Sequence, residues 1–260
     1  DALNNLGMIY YYGKGVNQDT KKAIEYLELA AEHNDSNALF NLGFIYYEGK
    51  GIEKDYSKAK YFLEQSAKQN NPNAIMNLAV LYFDDKFPEH DYKKSIKYAE
   101  HAAKLNISNA YIFLGNIYLG KGAGEPNYAK SKKYYEKAIE MNNPEGYYFL
   151  GLLYSEGKGV KKDYSKAKEL YEIAAKHNNV NAIINIGDFY LQGKGVEKNY
   201  SKAKEYFEQA AKFNDETALI NLANIYYNGI GTPRDFLRAK YYYELCAKKN
   251  NSQAFRSHLF

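Results

Sequence analysis

The segment Ser-Lys-Ala-Lys, a match to the Ser-x-x-Lys pattern that could place a serine nucleophile beside a lysine base, occurs three times in the chain. It spans Ser57–Lys60, Ser165–Lys168 and Ser201–Lys204. In penicillin-binding serine enzymes this pattern works together with Ser-Asp-Asn and Lys-Thr-Gly motifs, and the sequence contains neither. Because a nucleophile has no reason to recur at three places, we interpret these serines as solvent-exposed helix starts. We therefore predict no catalytic residues and a chain that is not an enzyme.

A second motif, Gly-Lys-Gly, occurs at residues 13–15, 49–51, 157–159 and 193–195. A phosphate-binding loop needs a strand before it, a helix directly after it and a Ser or Thr behind the lysine. Here a helical pattern precedes each loop, and no Ser or Thr follows the lysine. We interpret the motif as a turn between two helices.

Histidine and cysteine are too scattered to predict a metal site. None of the five histidines forms a His-Glu-x-x-His pair or another ligand spacing. His33 and His177 lie at equivalent places near predicted helix C-termini, where a partly positive ring suits the helix dipole. Cys246 takes a place that alanine fills in other parts of the chain, so we interpret it as a small core residue. The sequence predicts no metal and no other cofactor.

Charge and hydropathy narrow the classes of partner. The 260 residues carry 35 basic and 31 acidic side chains, and the net charge of +4 is too small to indicate nucleic-acid binding. No apolar run approaches the ~20 residues of a membrane-spanning helix, so we predict no direct membrane insertion. Since the chain starts at Asp1 without an initiator Met or signal segment, we expect a processed or excised piece, and whether it belongs to a larger protein is left open. Compartment and oligomeric state are left open.

A period of 36 residues organises the whole sequence. A tyrosine recurs at that spacing at Tyr10, Tyr46, Tyr82, Tyr118, Tyr154, Tyr190 and Tyr226. A glutamate recurs in the same way from Glu28 to Glu244. The period predicts one domain over residues 1–260, with repeats starting near residues 1, 37, 73, 109, 145, 181 and 217 and a partial repeat from 253.

Each repeat reads as two short helices. In the second repeat, Ala38, Leu42 and Tyr46 recur at helical spacing, and the segment stops at the glycine loop. Asp55 is a good N-cap for the second helix, and Asp or Asn recurs there in every repeat. An asparagine suited to the left-handed C-cap recurs without exception at Asn34, Asn70, Asn106, Asn142, Asn178, Asn214 and Asn250. The sequence thus predicts an all-α chain of helix-turn-helix repeats.

Short helices of this kind are marginal alone and must be stabilised by stacking on their neighbours. Small residues indicate where helices approach each other closely. They are Gly7, Gly43, Gly115, Gly151 and Gly187 on the first helices, and Ala31, Ala67, Ala103, Ala175 and Ala211 on the second helices. A solenoid is the architecture that this pattern predicts.

The repeated motif resembles the Sel1-like repeat (SLR) of the tetratricopeptide-like superfamily. It reads Ala-x-x-x-Leu-Gly-x-x-Tyr, then Gly-Lys-Gly-Val, then Asp-Tyr-Ser-Lys-Ala-Lys-x-x-Tyr-x-x-Ala-Ala. The fifth repeat shows it best, with Gly146 in place of the opening alanine, at Leu150, Gly151, Tyr154, Gly157, Gly159, Asp163, Lys166, Ala167, Tyr171, Ala174 and Ala175. We accordingly expect a right-handed α/α superhelical solenoid of seven repeats plus a partial eighth.

Two repeats depart from the motif. The third replaces its glycine loop by Asp84-Asp85-Lys86-Phe87-Pro88, and the fourth shifts its glycines to Gly120-Lys121-Gly122. Both regain the period within a few residues. We expect the solenoid to continue through them with a locally reshaped edge.

The first helix of each repeat has a second face, opposite the one that forms the repeat's own core. The resemblance implies that this face lines a concave groove, and its residues are our candidate partner-binding site. One row of candidates is asparagine, whose amide matches an extended peptide backbone: Asn5, Asn41, Asn77, Asn185 and Asn221. The other candidates are apolar or aromatic and include anchors typical of binding hot spots: Met8, Phe44, Tyr12, Tyr47, Phe83 and Tyr227. The alternative is that these side chains only pack one first helix against the next.

The function that we predict is a non-enzymatic scaffold or adaptor that binds a peptide or protein segment in this groove. Relatives with such repeats act as scaffolds in endoplasmic-reticulum quality control, in signalling and in bacterial secretion, which is what the resemblance implies. An alternative is the non-catalytic repeat arm of a larger enzyme such as a kinase.

Overall fold

The chain folds into helices throughout the part that the structure, a computed structural model, describes: residues 2–120 and 124–257, with side chains up to residue 249. Over these ranges there are 14 α-helices and no strand. They are α1 (Ala2–Tyr12), α2 (Thr20–Glu32), α3 (Ser36–Glu48), α4 (Tyr56–Lys68), α5 (Pro72–Phe83), α6 (Tyr92–Lys104), α7 (Ser108–Tyr118), α8 (Tyr128–Glu140), α9 (Glu145–Glu156), α10 (Tyr164–Lys176), α11 (Val180–Gln192), α12 (Tyr200–Ala211), α13 (Glu216–Asn228) and α14 (Phe236–Ser257).

The chain divides into two compact units, Asp1–Pro126 with α1–α7 and Asn127–Phe260 with α8–α14. Within each unit every helix packs against the next one along the chain. In the first unit, the first helices of neighbouring repeats also touch, α1 with α3 and α3 with α5. The prediction of a single domain and of its repeat starts stays a prediction.

Aspartate or asparagine caps the second helices as the sequence predicts. Asp55 accepts a hydrogen bond from the N–H of Lys58 at 2.9 Å, which satisfies one of the free amides at the start of α4. The N–H of Asp55 itself donates to the carbonyl of Tyr46 at 3.0 Å. The same pair of bonds recurs at Asp19, Asp91, Asp163, Asn199 and Asp235. The cap therefore both starts the second helix and ties it back to the first.

The recurring tyrosine is stacked between the two helices of its repeat. The rings of Tyr10 and Tyr26 lie 5.6 Å apart with an interplanar angle of 12°, and the Nζ of Lys22 lies 4.3 Å from the centre of the Tyr10 ring. Equivalent stacks form at Tyr46–Phe62, Tyr82–Tyr98, Tyr190–Tyr206 and Tyr226–Tyr242. Lysines at the start of second helices thus serve as internal cation–π partners.

Left-handed asparagines join the repeats. Asn34, Asn70, Asn106, Asn142, Asn178 and Asn214 all have a positive φ, between 53° and 64°. These six confirm the predicted helix ends, since asparagine tolerates this conformation better than most residues. The prediction for Asn250 is wrong, because α14 continues through it to Ser257. Of the partial eighth repeat, residues 253–257 continue α14 and His258 lies outside the described residues, so that repeat stays a prediction.

The third repeat fills its altered loop with an aromatic side chain. Phe87 is buried with 2% of its surface exposed, and its ring lies 5.8 Å from that of Tyr56 in the preceding repeat. In the second repeat, Gly51 occupies the equivalent place and lies directly against Thr20 of the preceding repeat. The change from glycine to phenylalanine thus replaces a backbone approach by a ring contact. Of the shifted loop in the fourth repeat, residues 121–123 lie outside the described residues.

A glycine on several first helices makes room for one large side chain of the second helix. A Cβ built on Gly43 would lie 2.7 Å from the Cγ of Leu63, which is closer than such contacts occur. The same approach joins Gly7 to Leu27, Gly151 to Tyr171 and Gly187 to Phe207. The predicted role of these glycines in close helix packing is confirmed.

We expect Gly43→Ala to destabilise the protein by about 1–3 kcal/mol, because overpacking must displace Leu63 or separate α3 from α4. Urea unfolding followed by circular dichroism measures the change. Glu48→Ala, at an exposed position of the same helix, is the matched control. Equal stability of the two variants would contradict the tight packing.

Candidate partner-binding face of the first helices

The candidate site is the face of the first helices that carries Asn5, Met8 and Tyr12 and the equivalent residues of later repeats; we call it the first-helix face. The structure places these residues on α1, α3 and α5 in the first unit and on α11 and α13 in the second. Each unit is described separately.

The asparagine row of the first unit is not uniformly exposed. Asn5 is exposed and Asn77 half-buried, but Asn41 is buried, with 9% of its surface exposed. The side-chain amide of Asn41 donates a 2.7 Å hydrogen bond to the Oδ1 of Asn4 on the neighbouring first helix. The expected exposure of Asn41 is therefore wrong, because the close spacing of α1 and α3 pairs its amide with a neighbour.

The apolar candidates of the first unit form what we call the aromatic strip: Met8, Tyr12 and Phe44. Met8 and Phe44 are half-buried against the core, and Tyr12 exposes 52% of its surface. The neighbouring Tyr11 is buried at 3%, and its ring meets those of Tyr12 and Phe44 edge to face. Tyr12 is thus the most open ring of the strip.

Tyr47 and Phe83 pack between repeats rather than stand free. The hydroxyl of Tyr47 donates to the Oδ2 of Asp84 at 3.3 Å, and burial together with that carboxylate raises the pKa of Tyr47. The ring of Phe83 meets Tyr92 and Phe113 edge to face at 5.5 and 5.4 Å. For these two residues the structure supports the packing alternative.

Asp84 is a structural centre that the sequence pattern did not single out. Its carboxylate accepts hydrogen bonds from Tyr47, from Tyr56 at 3.0 Å and from the N–H of Lys86 at 3.0 Å. Although burial alone would raise the pKa of Asp84, these donors hold it below its usual value. The signal in the sequence that could have identified Asp84 is the departure of this loop from the repeated motif. A cavity of about 600 Å³ opens beside the loop, with Phe87 in its lining, and includes none of the candidate residues.

The second unit presents a row of polar side chains that we call the polar strip: Asn185, Asp188, Asn221 and Asn224. Asn185, Asp188 and Asn221 are half-buried, and Asn224 is exposed. Asn185 hydrogen-bonds the hydroxyl of buried Tyr171, whose pKa burial raises to about 12. Tyr227, the last aromatic candidate, exposes 52% of its surface and meets Phe236 edge to face at 5.4 Å.

Asp188 differs from the other polar side chains of the strip. Desolvation raises the pKa of Asp188, and the charge of Lys194 only partly opposes this effect. Within residues 2–120 and 124–257, no group donates a hydrogen bond to its carboxylate. Half-burial of this carboxylate disfavours its ionised form, although its oxygens still reach water, and a cation from outside would offset that effect.

Two of the three lysines that end the Ser-x-x-Lys segments are engaged in ion pairs. The Nζ of Lys168 lies 2.7 Å from Glu172, and that hydrogen bond raises the pKa of Lys168. Lys60 is paired with Glu89 in the same way, and its pKa is also raised. A catalytic lysine base needs a lowered pKa, so neither Ser-x-x-Lys segment has the required electrostatics.

The remaining candidate side chains have structural surroundings. His33 and His177 are the C-cap residues of α2 and α10. Cys246 is buried, and burial raises the pKa of its thiol. Over the described ranges, no group of three or more His, Cys, Asp or Glu side chains is placed to hold a metal ion. Nor is any helix in that part of the chain both long and apolar enough to span a membrane.

Comparison with known proteins gives the repeat a family. The model of the Sel1 repeat matches residues 1–35, 36–71, 72–107, 108–143, 144–179, 180–212 and 217–251. No curated protein matches the chain.

Solved structures agree with this match. A Sel1 repeat protein from Oxalobacter formigenes is 26% identical, with a TM-score of 0.79 over 95% of this chain and 99% of that one. A protective antigen of uropathogenic Escherichia coli with an SLR fold is also 26% identical, with a TM-score of 0.73 over 97% of this chain. The match spans 54% of that antigen, about half of its length. An immunity protein from Pseudomonas aeruginosa, 18% identical with a TM-score of 0.59 over 82% of this chain and 81% of that one, shares the fold. The architecture is an all-α repeat solenoid.

We expect Asp188→Asn to raise the melting temperature at neutral pH. Because the folded-state pKa of Asp188 is raised, its ionisation costs stability as the pH rises through that pKa. The gain should therefore shrink on acidification and vanish below the ordinary aspartate pKa of 3.8, where the carboxyl is protonated in both states. Thermal unfolding of both proteins across this pH range measures it.

Asp91→Asn provides a control of opposite sign. Hydrogen bonds from the N–H groups of Lys94 and Lys93 lower the pKa of Asp91, so its ionised form stabilises the fold. We expect no gain at neutral pH in that variant. A melting temperature of Asp188→Asn at or below that of the unaltered protein would show that the carboxylate is not under strain.

Proposed function

The chain belongs to the Sel1 repeat family, and from that premise we propose that it is a non-enzymatic scaffold that binds an extended protein segment on its first-helix face. Proteins of this family are generally protein-interaction scaffolds. The observation that carries the proposal is Asp188, a half-buried carboxylate to which no described group donates a hydrogen bond. A carboxylate that is partly withdrawn from water and has no described donor offers a place where a cationic group of a partner can bind.

The polar strip defines the chemistry of the segment that the second unit binds. Asn185 and Asp188 lie three residues apart on α11, and Asn221 and Asn224 repeat that spacing on α13, so each pair shares a helix face. The amides supply donors and acceptors for a peptide backbone, while Asp188 supplies one negative charge. A lysine or arginine of the bound segment would pair with Asp188 and reverse the shift of its pKa.

The aromatic strip of the first unit suits a different part of a partner. Tyr12 combines an exposed ring with a hydroxyl, and Met8 beside it has a flexible thioether side chain that adapts to apolar groups. An apolar side chain is the group that this strip would accept. We therefore propose that the first unit accepts apolar residues of a partner, separately from the basic residues that the second unit accepts.

An array of peptides of equal length, with basic, acidic or neutral polar residues around one apolar residue, tests the proposal. We expect basic peptides to bind preferentially. Asp188→Asn should weaken their binding by about tenfold, or ~1.4 kcal/mol, because the substitution removes a partly desolvated charge partner. Fluorescence anisotropy on the selected peptides measures the loss.

Glu205→Gln, at an exposed position of the second helix α12, is the matched charge control and should bind as the unaltered protein does. Equal losses of peptide affinity in the two variants would show that the effect comes from the net charge of the protein and not from the position of Asp188. Failure of every basic peptide to bind would contradict the proposed binding of a basic segment at the polar strip.

The alternative function is that of a non-catalytic arm of a larger enzyme. Such an arm would use the same first-helix face, because it also recruits a protein segment. Reading the parent open reading frame distinguishes the two functions.

A further inference from the structure

A small cavity opens between the second helices α4 and α6 of the first unit. It has a volume of about 290 Å³, and its apolar lining consists of Ala67, Ile75, Leu78 and Tyr98. Ile75 and Leu78 belong to α5 and expose at most 1% of their surface, whereas Ala67 and Tyr98 are half-buried. Sites for drug-sized ligands measure roughly 300–1,000 Å³, so this cavity suits a single side chain of a partner.

The polar part of the lining comprises Glu64, Lys68 and His101. Glu64 is half-buried, and in the part of the chain that the structure describes no group donates a hydrogen bond to its carboxylate. Lys68 and His101 are exposed, and the Nζ of Lys68 donates to the Oε1 of Gln65 at 3.4 Å. Burial and the negative charge of Glu64 raise the pKa of Tyr98. The carboxylate of Glu64 therefore lies near the aromatic wall of the cavity.

A contact with the next repeat explains why Glu64 has no such donor. In α8 the glutamate at the equivalent position, Glu136, lies 2.7 Å from the Nζ of Lys132, four residues before it, and the same pair forms in α10. In α4 the equivalent lysine is Lys60, but its Nζ donates to Glu89, which follows directly after the altered loop of the third repeat. The altered loop thus diverts the lysine that pairs with this glutamate elsewhere.

We propose that this cavity binds a basic side chain of a partner protein, with the apolar stem beside Ala67 and Tyr98 and the cation at Glu64. Charge complementarity selects this occupant, because a half-buried carboxylate without a donor is matched by a cationic group. Lysine and arginine side chains carry an apolar stem that can lie along apolar surface behind the charged head. The site is on the second helices and does not depend on the proposed function of the first-helix face.

Nuclear magnetic resonance of the 260-residue chain, with labelled isoleucine and leucine methyl groups, tests the proposal. The probes are n-butylammonium for lysine, n-propylguanidinium for arginine and n-butanol as the neutral control, all at constant ionic strength. We expect saturable shifts of the Ile75 and Leu78 methyl signals with at least one cation, and weaker binding of n-butanol. Glu64→Gln should weaken the binding of that cation about threefold to fivefold, as for a partly exposed charge pair.

Glu89→Gln tests the origin of the site without changing the lining of the cavity. Lys60 would lose its partner and pair with Glu64, as the equivalent lysine does in α8, so the binding of the cation should weaken. Replacing Lys60 by Gln in the same chain should restore it. Glu28→Gln, at the exposed equivalent position of α2, is the matched charge control and should bind as the unaltered protein does. Circular dichroism of each variant verifies that the helices persist.

Absence of saturable shifts with both cations would overturn the proposal, and so would equal affinity for n-butanol. Unchanged cation binding in Glu64→Gln would also overturn it, because the charge contact would then lie elsewhere. Unchanged binding in Glu89→Gln would contradict the diversion of Lys60 as the origin of the site.

Discussion

One large side chain shared between three helices holds several of the described junctions together, with Ala99 in its place in α6. Leu63 fills the space that Gly43 opens on its own first helix, and on its other side it packs against Ala74 and Leu78 of the next repeat. Helices of 11–13 residues, such as α1 and α4, are marginal alone. Because no single repeat can bury this side chain completely, the helices gain their stability from their neighbours.

The parts of the fold that depend on local chemistry could be predicted from the sequence. Asp55 and Asn34 act through their own backbone neighbours, so their types and spacing were enough to place a helix start and a helix end. Asn250 has the same residue type, yet α14 passes through it. The packing of a following repeat, and not the asparagine alone, accompanies the turn at the other six positions.

The candidate face could be predicted only in outline, because helical periodicity does not show what lies beside a helix. It placed Asn41 on the side away from the core of its own repeat, but the neighbouring α1 supplies Asn4 as a hydrogen-bond partner there. The hydroxyl of Tyr47 likewise donates a hydrogen bond to the carboxylate of Asp84 in the next repeat. Lateral contacts of this kind depend on the spacing between helices, which is set by glycines elsewhere in the repeat.

The spacing between helices also explains why the two polar side chains Asn41 and Asp188 have opposite effects on the stability of the fold. The amide of Asn41 bonds to the repeat beside it and so adds cohesion, whereas Asp188 lies on an equivalent helix, receives no hydrogen bond from any described residue and carries a raised pKa. A regular array tolerates such a residue because many junctions share the stability. Recognition can therefore be built at single positions of a scaffold that is otherwise uniform.

The residue type of the shared side chain varies with its surroundings. In α14, Tyr243 occupies the place that Phe207 fills in α12, and its hydroxyl donates to the Oδ1 of Asn224 at 2.6 Å. A phenylalanine such as Phe207 would lack that bond, and a charged residue could not be buried under another helix without a partner. Tyrosine suits both conditions, since its ring can pack under a helix, as that of Tyr171 does, while its hydroxyl keeps a polar partner. The residue type at this one position thus combines an apolar ring with a hydrogen bond between α13 and α14.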